Sequence, residues 1–240
     1  MPMPANKGIE YRIVDRNIYF FGISVLYYNS SWNEYGMIQS NFSREEYKSD
    51  QHALDSASVK KLLLSFSNLQ DKAMISLACS TGIRREDLVS IKQNDYKCEY
   101  DEQKSKYIAT VTFFEQKKKR TRTIYIPSQE TIQLINMHLQ SCRKSQWLFP
   151  SPKVTGKFKN AHISGRHVYD ILNEHLKMVK LAHRPFHSLR ATAYKIAQEK
   201  GWSPRMAAEL LGDSTRVAEE HYGAPSIENM KTAALDMSFD

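Results

Sequence analysis

His187 and Arg190 stand three residues apart, a spacing that places both side chains on one face of a helix. An arginine fork can bind a phosphate oxygen while a neighbouring imidazole accepts or releases a proton. Helical surfaces often carry such pairs without any chemistry. The pair alone is therefore compatible with an anion site and does not establish one.

A basic run and a tyrosine could serve the same chemistry. The run, between two β-rich stretches, consists of Lys117, Lys118, Lys119, Arg120 and Arg122. At the tip of a hairpin, such residues can enter a nucleic-acid groove, bind phosphate and donate a proton. They are equally typical of a solvated turn. Tyr222 follows in a short helical segment, where a single tyrosine usually packs against neighbours.

The segments that must position these residues are mostly helical. From Ser56 onward, apolar residues recur at spacings of three and four, which predicts a core-facing stripe split into two helices near Asn68. Thr81 and Gly82 end the second helix, because glycine tolerates the left-handed cap conformation. A new helix then begins close to Arg84.

Residues 106–126 have a β-rich composition and predict a hairpin whose tip is the basic run. Further helices are predicted at about 128–142, 164–180, 187–200, 204–212, 214–223 and 227–239. We therefore expect an α+β fold, mostly α-helical, with a small antiparallel β-sheet. Residues 1–52 are rich in aromatics and weak in helical period, which predicts short strands or an irregular arm ahead of a main domain at 53–240.

Composition favours a polyanionic partner. Lys and Arg number 34 against 26 Asp and Glu, which gives a formal charge of +8 and a pI near 9.2. The three widely spaced cysteines form no C-x-x-C pair and are typical of reduced thiols inside a cell. No apolar run reaches the length of about 18 residues that a membrane span needs. We expect an intracellular protein without a membrane or small-molecule partner.

Four segments together resemble the tyrosine recombinase and lambda-type integrase family over about residues 55–235. They are T-G-I-R-R-E-D-L at Thr81 to Leu88, the hairpin lysine, H-S-L-R at His187 to Arg190, and L-L-G-D-S-T with a tyrosine nine residues after Asp213. The W-L-F-P-S segment at Trp147 to Ser151 is also similar. The resemblance implies the catalytic-domain fold of that family and DNA cleavage and rejoining through a 3′-phosphotyrosyl link.

The same resemblance implies a role for each matching residue. Tyr222 would be the nucleophile, and Arg84 and Arg190 would stabilise charge on the phosphate in the transition state. His187 would be the general base. The hairpin lysine would be the general acid, with Lys119 favoured by its distance from Pro127 and Lys118 held in reserve. No metal or other cofactor is needed, since arginines and lysine supply the positive charge.

Asp213 departs from the family, which usually has His or Trp at this catalytic position. A carboxylate there would repel phosphate unless it turns away, is protonated or pairs with an arginine. Asp87, at the acidic position of the family, would orient or pair with a basic neighbour. The remaining basic residues of the hairpin tip are expected to bind DNA: Lys117, Lys118, Arg120 and Arg122.

The implied partners are double-stranded DNA and further copies of the chain, assembled as a tetramer. The amphipathic segment at 227–239 could pack on a neighbouring protomer or within its own chain. Two alternatives remain open: a non-catalytic DNA-binding member of the fold, and a type IB topoisomerase that relaxes DNA. The DNA target and the direction of recombination are not encoded in any readable motif.

Overall fold

The computed structural model describes residues 7–14, 17–25, 52–153, 155–156 and 160–222, and side chains are described from residue 52 to 218 within these ranges. By internal contacts the chain divides into two units, Met1–Glu46 and Tyr47–Asp240. In the first, strands β1 (Lys7–Val14) and β2 (Asn17–Val25) pair antiparallel, with an irregularity between Ile9 and Tyr11. Strands therefore occur where the aromatic-rich segment predicts them.

The second unit contains eight α-helices within the residues described. They are α1 (Ser56–Leu64), α2 (Leu69–Thr81), α3 (Arg85–Val89), α4 (Gln129–Ser141), α5 (Gly165–Met178), α6 (Ser188–Glu199), α7 (Pro204–Leu211) and α8 (Thr215–Tyr222). Together with a small antiparallel sheet, they confirm the predicted α+β class. The amphipathic segment at 227–239 lies outside the described residues.

Local capping chemistry determines where most of these helices begin. The side chain of Asn68 accepts hydrogen bonds from the first turn of α2, which explains the split between α1 and α2. The hydroxyls of Ser128, Ser164 and Ser203 cap α4, α5 and α7 in the same way. Helix starts were therefore predictable from short-range sequence alone.

A three-stranded antiparallel sheet has the order β3 (Tyr96–Asp101), β4 (Lys106–Glu115) and β5 (Arg120–Tyr125). The β4–β5 hairpin confirms the prediction for residues 106–126, with four residues in its tip between the paired Glu115 and Arg120. Strand β3 was not predicted. Its sequence has little strand character of its own, and it is held by pairing with β4 from Tyr96↔Val111 to Asp101↔Lys106.

Helices α6, α7 and α8 meet through small side chains. Their common buried cluster includes Ala191, Ala193, Ala207, Ala208 and Ala218 around the fully buried Tyr194 and Leu211. Alanine lets helix backbones approach closely, so the end of α7 lies against the start of α6 and the end of α2. This packing brings together residues that are distant in sequence. In the part of the chain that is described, no helix is long and apolar enough to cross a membrane.

Candidate active site

Arg84 is the residue immediately before α3 and has an extended backbone, with φ −67° and ψ 147°. Its Nη1 donates to Glu115 Oε1 at 2.5 Å, and its Nη2 lies 3.5 Å from Asp213 Oδ1. About a fifth of the side chain, 22%, remains exposed. The guanidinium is therefore held by protein carboxylates while keeping one face open to solvent.

Gly82 allows the turn that leads into Arg84. Its φ of +63° is the left-handed conformation expected from the sequence. A Cβ at this position would lie 2.3 Å from Leu211 Cδ2 and 3.2 Å from Ala193 Cβ. A side chain would thus be excluded by both α6 and α7, and the peptide carbonyl of Gly82 is free to come close to Arg190.

Arg190 lies at the centre of the site and is almost fully buried, with 4% of its side chain exposed. Nη1 donates to the carbonyl of Gly82 at 2.8 Å, and Nη2 donates to the carbonyl of Leu211 at 2.5 Å. Nη2 also lies 2.6 Å from Asp213 Oδ2. The side chain therefore fastens the ends of α2 and α7 to α6 and directs its charge toward Asp213.

Asp213 follows Gly212, which ends α7 with a φ of +71°. The carboxylate contacts Arg190 through Oδ2, and Arg84 and Lys118 through Oδ1 at 3.5 and 3.4 Å. Burial acts to raise the pKa of Asp213, but the charges of Arg190, Arg84 and Lys118 prevail and lower it. Of the three ways in which a carboxylate could be accommodated here, the structure shows pairing with arginine.

The hairpin tip brings Lys118 rather than Lys119 to this carboxylate. Lys118 Nζ donates to the carbonyl of Gly212 and lies 3.4 Å from Asp213 Oδ1. Lys119 is exposed and adopts a left-handed backbone with φ 51°, as the last residue of the four-residue tip. The sequence count that favoured Lys119 assumes a shorter tip. Of the two candidate lysines, Lys118 is the one that contacts Asp213.

Glu115, which was not predicted as a site residue from the sequence, is the second carboxylate of the site. Its side chain, 1% exposed, accepts from Arg84 Nη1 at 2.5 Å and Arg120 Nε at 2.9 Å. Burial would raise its pKa, but hydrogen bonds from Arg120 and Arg84 and their charges lower it. A signal was available: Glu115 continues the inward alternation of Val111 and Phe113 on β4. A charged residue at such a position needs a buried partner.

Asp87 holds the hairpin tip from the other side. Its Oδ1 accepts from the backbone N–H of Gln116 at 3.1 Å, whereas its buried Oδ2 has no hydrogen-bond partner among the described residues. Burial raises the pKa of Asp87, and the neighbouring Glu115 acts in the same direction against Arg84 and Arg190. The side chain therefore fixes the tip through a backbone hydrogen bond.

The other basic residues of the hairpin differ in the groups that they contact. Lys117 is exposed, and Arg120 pairs with Glu115. Arg122 donates to the carbonyls of Glu209 and Leu210 at the end of α7, the latter at 2.9 Å. A Cβ on Gly212 would lie 2.6 Å from the Arg122 guanidinium. Arg122 therefore anchors the hairpin to α7, and the DNA contact predicted for it stays a prediction.

His187 immediately precedes helix α6, and Tyr222 ends helix α8. His187 is exposed at the start of α6, one turn before Arg190, whose backbone N–H donates to the His187 carbonyl at 3.0 Å. Tyr222 is the last residue of α8, and its side chain lies outside what is described. Helix α8 begins two residues after Asp213 and ends at Tyr222. About two helical turns therefore separate the Tyr222 backbone from the turn that holds Asp213.

Together, the side chains in direct contact form a compact ionic cluster. It consists of the cations Arg84, Lys118, Arg120 and Arg190 and the carboxylates Glu115 and Asp213. Four positive charges against two negative charges leave an excess that favours an anion. Because Arg84 and Lys118 are partly exposed, at 22% and 36%, an anion can reach the cluster from solvent.

The family model described as the phage integrase family matches residues 52–224, which make up well over half of the chain. The chain belongs to the phage integrase family. Comparison with curated proteins finds no match.

Solved structures of tyrosine recombinases share the fold. XerH bound to a palindromic difH substrate, in a post-cleavage complex, is similar with a TM-score of 0.60 at 16% identity, covering 77% of this chain and 52% of that one. The XerA recombinase gives 0.58 at 18% identity, with 78% and 66% covered. A lambda integrase tetramer bound to a Holliday junction gives 0.52 at 15%, with 73% and 48% covered. The chain spans about half to two thirds of these proteins.

Proposed function

We propose that the chain is a site-specific DNA recombinase that cuts and rejoins strands through Tyr222. The observation that carries this proposal is the convergence of Arg84, Arg190 and Lys118 on one carboxylate. The family resemblance implies phosphate stabilisation by the two arginines and proton donation by a hairpin lysine. The three cations come from the turn before α3, from α6 and from the hairpin tip, and two of them, Arg84 and Lys118, stay partly exposed to solvent, at 22% and 36%. A site for a phosphodiester accounts for their meeting.

In the cleavage step, the Tyr222 hydroxyl oxygen attacks the phosphorus and forms a phosphotyrosyl ester, while the bond from phosphorus to the 5′-oxygen breaks. A tyrosine hydroxyl has a pKa of about 10, so it must lose its proton during attack, and His187 is the proposed acceptor. Lys118 donates a proton to the departing 5′-oxygen. In the pentacoordinate transition state, Arg84 and Arg190 offset the added negative charge.

Rejoining reverses these steps. A free 5′-hydroxyl attacks the phosphotyrosyl bond, Tyr222 leaves and regains a proton, and a phosphodiester is restored. One ester is exchanged for another in each direction, so no cofactor supplies energy. Recombination results when the attacking hydroxyl belongs to a different duplex.

Double-stranded DNA is the proposed partner, in line with the net charge of +8 and the exposed Lys117 at the hairpin tip. The similar XerH and lambda integrase structures are complexes with DNA, and the latter is a tetramer on a Holliday junction. We extend both features to this chain: residues 53–240 form the catalytic domain, residues 1–52 form an arm, and four copies act together on DNA.

A second candidate function is DNA binding without cleavage. It is favoured by Asp213, which already neutralises part of the charge that a phosphate would meet. In that case the fold and the basic tip would bind duplex DNA, and Tyr222 would form no bond to it.

A covalent-trapping assay separates the two functions without knowledge of the target. Duplexes with a randomised core and a nick next to it are incubated with the protein, and covalent complexes are isolated on denaturing gels and sequenced. A nicked strand loses its short 5′-hydroxyl fragment by diffusion, so the covalent complex accumulates. The recombinase is expected to yield a covalent band enriched in one sequence.

Tyr222→Phe is the matched control, because it removes one oxygen and leaves the ring. The band should vanish in this variant while noncovalent binding to the enriched sequence stays within about twofold. DNA binding by the unchanged chain with no band on any enriched sequence would favour the non-catalytic function.

A further inference from the structure

Arg84 contacts two carboxylates that differ in their surroundings. Glu115 lies on the inward face of β4 with 1% of its side chain exposed, and it is also bound to Arg120. Asp213 lies on the turn between α7 and α8 with 8% exposed, and it borders the partly exposed Lys118. A ligand arriving from solvent can therefore replace Asp213 more easily than Glu115.

The two oxygens of Asp213 are shared among the cations as two phosphate oxygens would be. Oδ2 lies 2.6 Å from Arg190 Nη2, while Oδ1 faces Arg84 Nη2 at 3.5 Å and Lys118 Nζ at 3.4 Å. A phosphodiester also presents two oxygens that share one negative charge. The short contact is with the deepest cation and the longer contacts are with the exposed ones, so the carboxylate is held firmly on one side only.

The backbone around Asp213 permits such a replacement. Its N–H donates to the Ala208 carbonyl at 3.0 Å, and the Gly212 carbonyl accepts from Lys118. These bonds fix the turn and leave the side chain as the element that can rotate away. Glu115 has no comparable freedom, since strand pairing with Arg120 and burial hold it in place.

From this contrast we propose that Asp213 is a displaceable internal anion that occupies the phosphate position, and that Glu115 is a positioning residue that holds Arg84 during the exchange. The proposal rests on the proposed function for the identity of the incoming group, a backbone phosphate. When a backbone phosphodiester replaces the Asp213 carboxylate, one negative charge takes the place of another. A phosphodiester that makes no other contact therefore gains little binding free energy. Productive binding then depends on the other contacts that a DNA duplex makes.

Asp213→Asn and Glu115→Gln each remove one negative charge from the cluster with little change in shape. Comparing them tests whether the two carboxylates have the different roles proposed. Binding of inorganic phosphate to the full chain is measured by calorimetry in chloride buffer for Asp213→Asn, Glu115→Gln and the surface control Asp170→Asn, whose carboxylate pairs with Arg166 on α5. Asp213→Asn is expected to bind phosphate about tenfold more tightly, because the competitor is gone. Glu115→Gln should bind no more tightly than the unchanged chain, and Asp170→Asn should be within about twofold of it.

Equal tightening in Asp213→Asn and Glu115→Gln would reduce the effect to general electrostatics and overturn the proposal. Unchanged or weaker binding in Asp213→Asn would also overturn it. The Arg84 guanidinium provides a local readout: its ¹⁵N resonances should shift in Glu115→Gln and stay in place in Asp170→Asn. If they do not move in Glu115→Gln, the positioning role is wrong even when stability has changed.

Asp213→Ser offers the same test if Asp213→Asn does not fold. In the unchanged chain, phosphate should shift the carboxyl ¹³C resonance of Asp213 toward that of a solvated aspartate, and binding without this shift would contradict the exchange. Phosphate binding is independent of strand cleavage. Covalent adducts without tighter phosphate binding in Asp213→Asn would defeat this inference alone, whereas tighter binding without adducts in the unchanged chain would defeat the proposed function alone.

Discussion

Asp213 and Arg190, which are 23 positions apart, form an ion pair with 2.6 Å between Oδ2 and Nη2, and both side chains are almost fully buried. This pair joins the turn after α7 to α6 at the point where the cations of the site converge. Its formation gives Asp213 a lowered pKa despite burial. Stability should therefore depend on pH through this residue.

The pH dependence has a defined sign. Because the folded pKa of Asp213 lies below the ordinary value of about 3.9, its stabilising contribution is fully present above about pH 4 and is lost as pH falls through the folded pKa. The difference in free energy of unfolding between the unchanged chain and Asp213→Asn should shrink below about pH 4. Urea denaturation across the acidic range measures it, and a constant difference would contradict the ion pair.

Replacing Arg190 with lysine should destabilise the fold although charge is conserved. A lysine cannot serve the carbonyls of Gly82 and Leu211 and the Asp213 carboxylate together, so buried acceptors lose partners. We expect a loss of about 2–4 kcal/mol in the free energy of unfolding, measured in urea. The exposed Arg166→Lys should change it by less than about 0.5 kcal/mol. Equal effects would refute the central role of Arg190.

Gly82→Ala should cost about 3 kcal/mol, because a left-handed backbone is strained for alanine and the new Cβ would meet Leu211 Cδ2 at 2.3 Å. Gly201→Ala is the matched control: its φ is +79° and nothing lies within 4 Å of the added atom. That variant should lose only the backbone component, about 1–2 kcal/mol. Thermal or urea unfolding of both variants separates strain from packing, and similar losses would argue against the close approach at Gly82.

The choice between the two tip lysines can be tested by kinetics. Lys118→Ala should slow single-turnover cleavage of a nicked duplex by about 10² to 10⁴, the range for loss of a general acid, whereas Lys119→Ala should stay within a few-fold. Lys118 Nζ reaches the Gly212 carbonyl and Asp213, and Lys119 is exposed. A larger defect in Lys119→Ala would restore the assignment that the sequence count favoured.

Features that depend on residues close in sequence were predicted, whereas features that depend on distant partners were not. Helix boundaries at Asn68, Gly82, Ser203 and Gly212 depend on neighbouring residues and were predictable. Strand β3 depends on its partner β4 and was not. In the tip, the sequence alone does not fix which lysine contacts the site, because residues 116–119 form a loop outside the strand pairing and Lys118 is the one that reaches Asp213.

The carboxylates of the site show the same limit. Asp213 was recognised as unusual from its position, but its pairing with Arg190 required the packing of α6 against α7. Glu115 went unnoticed because its partner Arg84 lies 31 positions away, although the alternation of β4 already placed its side chain on the buried face. The roles in cleavage assigned to all the site residues, including His187 and Tyr222, remain predictions.

The role of Tyr222 as nucleophile is tested most directly by locating the covalent bond to DNA. A trapped complex is digested with nuclease and trypsin, and the peptide of residues 217–231, in which Tyr222 is the one tyrosine, is examined by mass spectrometry. We expect a nucleotide attached through phosphate to Tyr222, with no such peptide from Tyr222→Phe. A nucleotide on any other residue, or an adduct that survives in Tyr222→Phe, would contradict it.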